Sequence, residues 1–177
     1  MLATTSVYLI VFRVIHIMSA IAWGGSVFMF AVFLGPAAAE LGPAAGPVMG
    51  NLVAKRKLTD VIIRIAAFTV LGGLFLYWHD AGGFSGLGDF VDSAYGFVLT
   101  IGALAGIGAF VVGLRVTLPS VKKLVAMGGA MAASGGVPTP DQMAEMKRLQ
   151  GKMKAASRAT LAMVAVAAFC MSTAGFW

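Results

Sequence analysis

Two histidines, His16 and His79, are the only imidazoles in the chain, and both stand in or at the end of long apolar runs. His16 lies within V-F-R-V-I-H-I-M-S-A-I-A-W-G-G, and His79 closes V-L-G-G-L-F-L-Y-W-H-D. An ionisable group at membrane depth is costly and marks a site by default. A pair of imidazoles on neighbouring helices is the axial ligand set of a b-type haem, whose porphyrin carries the redox chemistry. An α-helix advances about 100° per residue, so Arg13, Ala20 and Trp23 lie within about 60° of His16 on one face. Ala20 leaves room for a flat macrocycle, Trp23 can lie on its edge, and Arg13 can bind a propionate through charge-assisted hydrogen bonds. On the second helix Gly72 offers a similar notch, Phe75 and Leu76 share the side of His79, and Phe68 is an apolar wall. Counted from Gly35 and Lys57, the histidines stand about 28 and about 33 Å up their helices at 1.5 Å rise per residue. That difference is about one turn, which helix tilt can absorb.

A haem held by only one of the two histidines, or no cofactor at all, fits the same residues. His79 follows Tyr77 and Trp78 and suits an interfacial aromatic belt, while His16 can hydrogen-bond across the bundle as polar glue. A bare zinc ion wants three or four ligands, and no cysteine or carboxylate sits near the pair within the apolar depth of the spans. Copper could add Met18 and Met29 to His16, but Met18 points about 160° away from it. Arg64 lies four residues beyond Asp60, a spacing at which the two support a helix as an ion pair.

These residues must be held by helices in lipid. Of 177 residues 59% are hydrophobic and 11% charged, against about 25% charged in soluble domains; the mean hydropathy is +0.91. Four stretches, about 7–34, 58–78, 94–117 and 157–176, reach the roughly 20 residues that cross ~30 Å of hydrocarbon. The expected fold is all-α: a four-transmembrane-helix, up-and-down bundle. The first span lacks a basic leader and a small-residue cleavage site, so it is expected to be retained. Gly102 and Gly106 form G-x-x-x-G in span three, and span four is rich in alanine, so these two should pack closely as scaffold. Cys170, the single cysteine, is expected to act as a small packed hydrophobe.

The net charge of +6 is topological. Lys55, Arg56 and Lys57 lie in the first connection, and Lys122, Lys123, Lys147, Arg148, Lys152 and Lys154 in the third. The second connection, 79–93, has no lysine or arginine and carries Asp80, Asp89 and Asp92. The positive-inside rule puts connections one and three in the cytoplasm and both termini outside, in an inner or plasma membrane. Anionic lipid is a natural partner of such loops; nucleic acid is not expected.

Pro36, Pro43 and Pro47 break the first connection, and Pro47 can open a second helix that runs on to His79. Glycines make 79–93 a flexible loop. In the third connection, about 118–156, S-V-K-K-L-V-A-M continues helix, and G-G-A-M-A-A-S-G-G-V-P reads as a turn or loose tip. Thr139, Pro140 and Asp141 then form a helix start. Met143, Met146, Leu149 and Met153 make an apolar face along a helical hairpin projecting below spans three and four. That face suits packing within the hairpin, or docking of a partner.

The stretch from Arg13 to His79 resembles a group of small membrane proteins that includes CopD-like copper-resistance domains and HemJ-type protoporphyrinogen oxidases. The resemblance rests on His16 followed by A-I-A-W-G-G-S-V-F at 20–28, on Pro36, and on Met49, Arg56, Lys57 and Leu58 before span two. It implies a four-helix fold and, as in the HemJ-like members, a b-type haem with His16 as one ligand. The lysine that HemJ proteins carry near the start of span three has no counterpart in 93–101, and the clustered external ligands of a copper carrier are missing. Together these features point to a haem between spans one and two that serves electron transfer, alone or within a respiratory or photosynthetic membrane complex. The competing expectations are a cofactor-free accessory subunit and a metal-ion permease.

Overall fold

The computed structural model describes residues 2–135 and 139–177. Among them there is no strand, and four helical rods are long and apolar enough to cross a membrane: Val7–Leu41, Leu58–Asp80, Ala94–Ser134 and Pro140–Phe176. This is an all-α, multi-pass membrane protein.

Helix α1 (Leu2–Met29) passes through a π-helical turn (Phe30–Leu34) into α2 (Gly35–Leu41). After a 3-10 turn (Gly42–Ala45) come α3 (Gly46–Gly50), with Pro47 in its first turn, and a second π turn (Asn51–Lys55). Helix α4 is Leu58–Asp80, α5 is Leu87–Asp92, and α6 (Ala94–Val112) continues by a third π turn (Gly113–Thr117) into α7 (Leu118–Ser134). Helix α8 (Pro140–Thr173) closes the bundle.

Two π turns have the same cause. A proline offers no N–H and its ring collides with the carbonyl four residues back. Before Pro36 the chain widens so that Gly35 N–H bonds to the Phe30 carbonyl, and before Pro119 the Leu118 N–H reaches the Gly113 carbonyl. The rods therefore continue through their prolines instead of ending. A Cβ on Gly35 would stand 2.8 Å from the Phe30 oxygen, so glycine suits the close of that turn.

Four sequence expectations change. The first connection is mostly helical. The helix opened by Pro47 does not run on to His79; it breaks at Arg56–Lys57, where Lys57 takes a left-handed backbone (φ 51°), and α4 starts afresh. The loop 79–93 contains α5, and Ser93 caps the next helix by accepting the Gly96 N–H at 3.0 Å. Helix α7 runs through Gly128 and Gly129 and stops at Gly135 (φ 59°); the rest of the expected turn, 136–138, lies outside the described residues.

The start at Thr139 is as expected. Thr139 Oγ1 accepts the Gln142 N–H, and Gln142 Oε1 accepts the Thr139 N–H at 2.9 Å, a reciprocal cap of the kind that contributes about 1 kcal/mol. With 34 residues, α8 is about 50 Å long and outruns the ~30 Å hydrocarbon layer. Its polar half packs beside α7, burying Leu149 and half-burying Met146 and Met153, while Met143 stays exposed.

The two extensive helix pairs are α1 with α4 and α6 with α8. In the second, Gly102 faces Cys170 and the Ala167 carbonyl, and Gly108 faces the Met163 sulfur. Close approach through small residues holds helices together in lipid, and Cys170 is buried in that contact. The pairs meet at a core of Trp23, Ala66 and Ala109, packed by Val27, Ile62, Ile65, Phe110, Met163 and Val164.

Glu145 on α8 binds both Lys123 of α7 and Arg148, each at 2.6 Å. The Arg148 hydrogen bond, then that of Lys123, holds its carboxyl down from 4.5 to about 2. A depressed acid stabilises the fold above its unfolded pKa, and that contribution fades as pH falls towards the folded value. Spin labels on α7 and α8 should therefore keep their separation down to about pH 5 and move apart as the pH approaches about 2. High salt should weaken the clasp at neutral pH, because it is exposed.

Candidate functional site

Helices α1 and α4 run antiparallel, and their seam is a ladder in which each step down one is met by a step up the other. Trp23 and Ala66 share the core rung. Next, Thr69 Oγ1 donates to Ser19 Oγ at 2.9 Å, and Ser19 donates onward to the Ile15 carbonyl at 2.6 Å. Then comes His16 against Gly72 and Gly73, followed by Phe12 stacked on Phe75 with centroids 4.0 Å apart. Last, the Tyr8 ring meets His79 edge-on at 6.3 Å.

His16 is fixed closely. Its Nδ1 lies 2.7 Å from the Thr69 carbonyl oxygen. A carbonyl only accepts, so Nδ1 carries the proton and Nε2 of the neutral ring keeps its lone pair. Gly73 makes room for the ring: a Cβ there would come within 2.7 Å of His16 Cε1. A Cβ on Gly72 would lie 3.4 Å from His16 Cβ, so the two helices nearly touch at this level.

His79 is placed differently. It stands six residues beyond Gly73 on α4, about 9 Å further along the axis. Its Nδ1 is buried without a hydrogen bond, and Asp80 Oδ1 is 3.7 Å away. Asp80 also accepts from Tyr95 OH at 3.3 Å. Tyr8 and Trp78 lie nearby in an aromatic group that takes in Phe75 and Phe84 at the end of α4.

The two imidazoles therefore do not face each other. The Phe12–Phe75 stack fills the seam between them, and a single macrocycle clasped by both does not fit there. The other expected site residues scatter too. Trp23 is 6% exposed and turned into the four-helix core, since it is the bulkiest side chain at the level where all four rods meet. Gly72 is the surface on which α1 rests and leaves no notch for a macrocycle. Ala20 is half-buried, Arg13 is exposed, and Phe68 is 61% exposed and points away. Asp60 pairs with Lys122 of α7 at 2.7 Å, and Arg64 instead lines an outward hollow with Ala67, Phe68 and Leu71. Among the described residues no group of three or more His, Cys, Asp or Glu could hold a metal ion.

Of the two imidazoles, only His16 has its Nδ1 in a hydrogen bond. Donation from Nδ1 to a backbone carbonyl is the outer-shell contact that orients a ligating imidazole and leaves Nε2 for iron. Ser19, Thr69 and Gly73, which build this setting, were not singled out in the sequence. A hydroxyl three residues from His16 and the T-V-L-G-G run of span two were the available signals. No protein-family model matches the chain, and comparison with curated proteins and with solved structures yields no match either.

Proposed function

We propose that this membrane protein holds a b-type haem through a single protein ligand, His16, and serves electron transfer, as a small subunit of a larger membrane complex or alone. The hydrogen bond from His16 Nδ1 to the Thr69 carbonyl carries this reading, because it presents Nε2 as the free nitrogen. The haem, when bound, supplies a one-electron iron couple. The chain's part is to fix the ring, through Thr69 on one side and the bare backbone of Gly73 on the other, and to offer the exposed charge of Arg13 three residues away. His79 has no part in it. The resemblance of His16 and the A-I-A-W-G-G stretch to HemJ-like proteins agrees with this assignment. A cofactor-free accessory subunit is the second reading, favoured by the completeness with which Thr69, Gly72 and Gly73 account for His16 as a cross-link between helices.

Purified protein should show a Soret band that sharpens and an α-band that rises on dithionite reduction. In His16→Asn the amide takes the place of Nδ1 and keeps a donor for Thr69, while Nε2 is lost. This variant should keep the helix content and thermal midpoint of the parent and lose the bands, and His79→Ala should keep them. A colourless parent protein sinks the haem reading, and subunits co-purifying with it would then favour the accessory role.

A further inference from the structure

Where α4 begins, the chain forms a hollow of about 340 Å³ against α7. Its apolar lining is Val53 and Ala54 before the helix break and Val125 and Ala126 on α7. Its charged lining is Lys57, Asp60 and Lys122. Asp60 neutralises one lysine through its 2.7 Å contact with Lys122. Lys57 makes no ion pair among those formed by the described residues. Lys55, Arg56 and Arg64 flank the same helix start, so Asp60 is the one carboxylate among five nearby cations on this stretch and Lys122. Apolar and basic lining residues come together where the apolar span Leu58–Asp80 begins.

We propose that this hollow binds one anionic phospholipid, with its phosphate between Lys57 and Lys122 and its glycerol and upper acyl carbons against Val53 and Val125. The observations favour a lipid over a soluble anion because half the wall is apolar and the site opens at the end of a membrane span. Lysines near a membrane surface attract anionic lipid by about 1 kcal/mol each, or about fivefold per residue. Removing both should thus cost about twenty-fivefold in preference.

The test uses the full chain in a mild detergent, titrated with dioleoyl-phosphatidylglycerol or dioleoyl-phosphatidylcholine, with retained lipid counted by native mass spectrometry. One phosphatidylglycerol should be held more than tenfold more tightly than phosphatidylcholine. Lys57→Gln/Lys122→Gln should abolish the preference, whereas Lys147→Gln/Lys152→Gln, an equal change of charge elsewhere, should keep it. Asp60→Asn should keep or strengthen it, which preserves the test if the double variant fails to fold. Equal retention of the two lipids, equal loss in the control pair, weaker retention in Asp60→Asn, or full competition by inorganic phosphate would each overturn the proposal.

Discussion

Trp23→Ala is expected to cost about 3 kcal/mol of bundle stability, the low end of the range for deleting a buried tryptophan. In water such a loss combines the transfer of apolar surface with the cavity left behind. Here the separated helices already rest in hydrocarbon, so the transfer part nearly vanishes and the lost packing contacts dominate. Trp23 touches the meeting point of α1, α4, α6 and α8, with Ala66 and Ala109 fully covered beside it. The cavity would open at the one place where all four rods depend on each other. Denaturant titration in mixed micelles measures the loss. The same variant should keep any haem absorption of the parent, since the indole lies in the core and not beside His16. Loss of colour at unchanged fold would return Trp23 to the site.

Gly73→Leu is the second large effect. Its first side-chain carbon alone would lie 2.7 Å from His16 Cε1, and the ring cannot swing away without giving up the Thr69 carbonyl. Overpacking of this kind costs about 1–3 kcal/mol, and the broken hydrogen bond adds about 1 kcal/mol. Gly72→Ala is the control: its 3.4 Å approach to His16 Cβ is tight but tolerable, and alanine recovers up to about 1 kcal/mol of helix propensity. The two neighbouring glycines should therefore differ by more than about 2 kcal/mol in the same titration. Comparable losses would mean that the ring is free to move.

Much of the bundle was legible in the chain. Hydropathy over some 20 residues locates spans because the bilayer imposes that length, and α4 falls almost where the pattern put it. Thr139, Pro140 and Asp141 announce their helix through local chemistry alone, a capping hydroxyl, a fixed φ and an acid in the first turn. The register between helices was not legible. Depths of His16 and His79 were counted from Gly35 and Lys57, but the first rod continues through Pro36 to Leu41, so Gly35 was not a helix end. Only tertiary contact shows that His16 stands opposite Gly73 and that two phenyl rings separate it from His79. Equally, the i to i+4 spacing of Asp60 and Arg64 says nothing of Lys122, which arrives from 62 residues away.

A π turn inserts one residue into a winding otherwise α-helical, and everything after it is rotated by about 100° relative to an uninterrupted count. Past Gly113–Thr117, each side chain occupies the bearing its predecessor would have held. Lys122 is thereby brought round to Asp60, at an azimuth that unbroken winding would have assigned to Val121. The proline that forced the irregularity thus sets which side chain, a cation or an alkyl group, is delivered to the mouth of the adjoining rod.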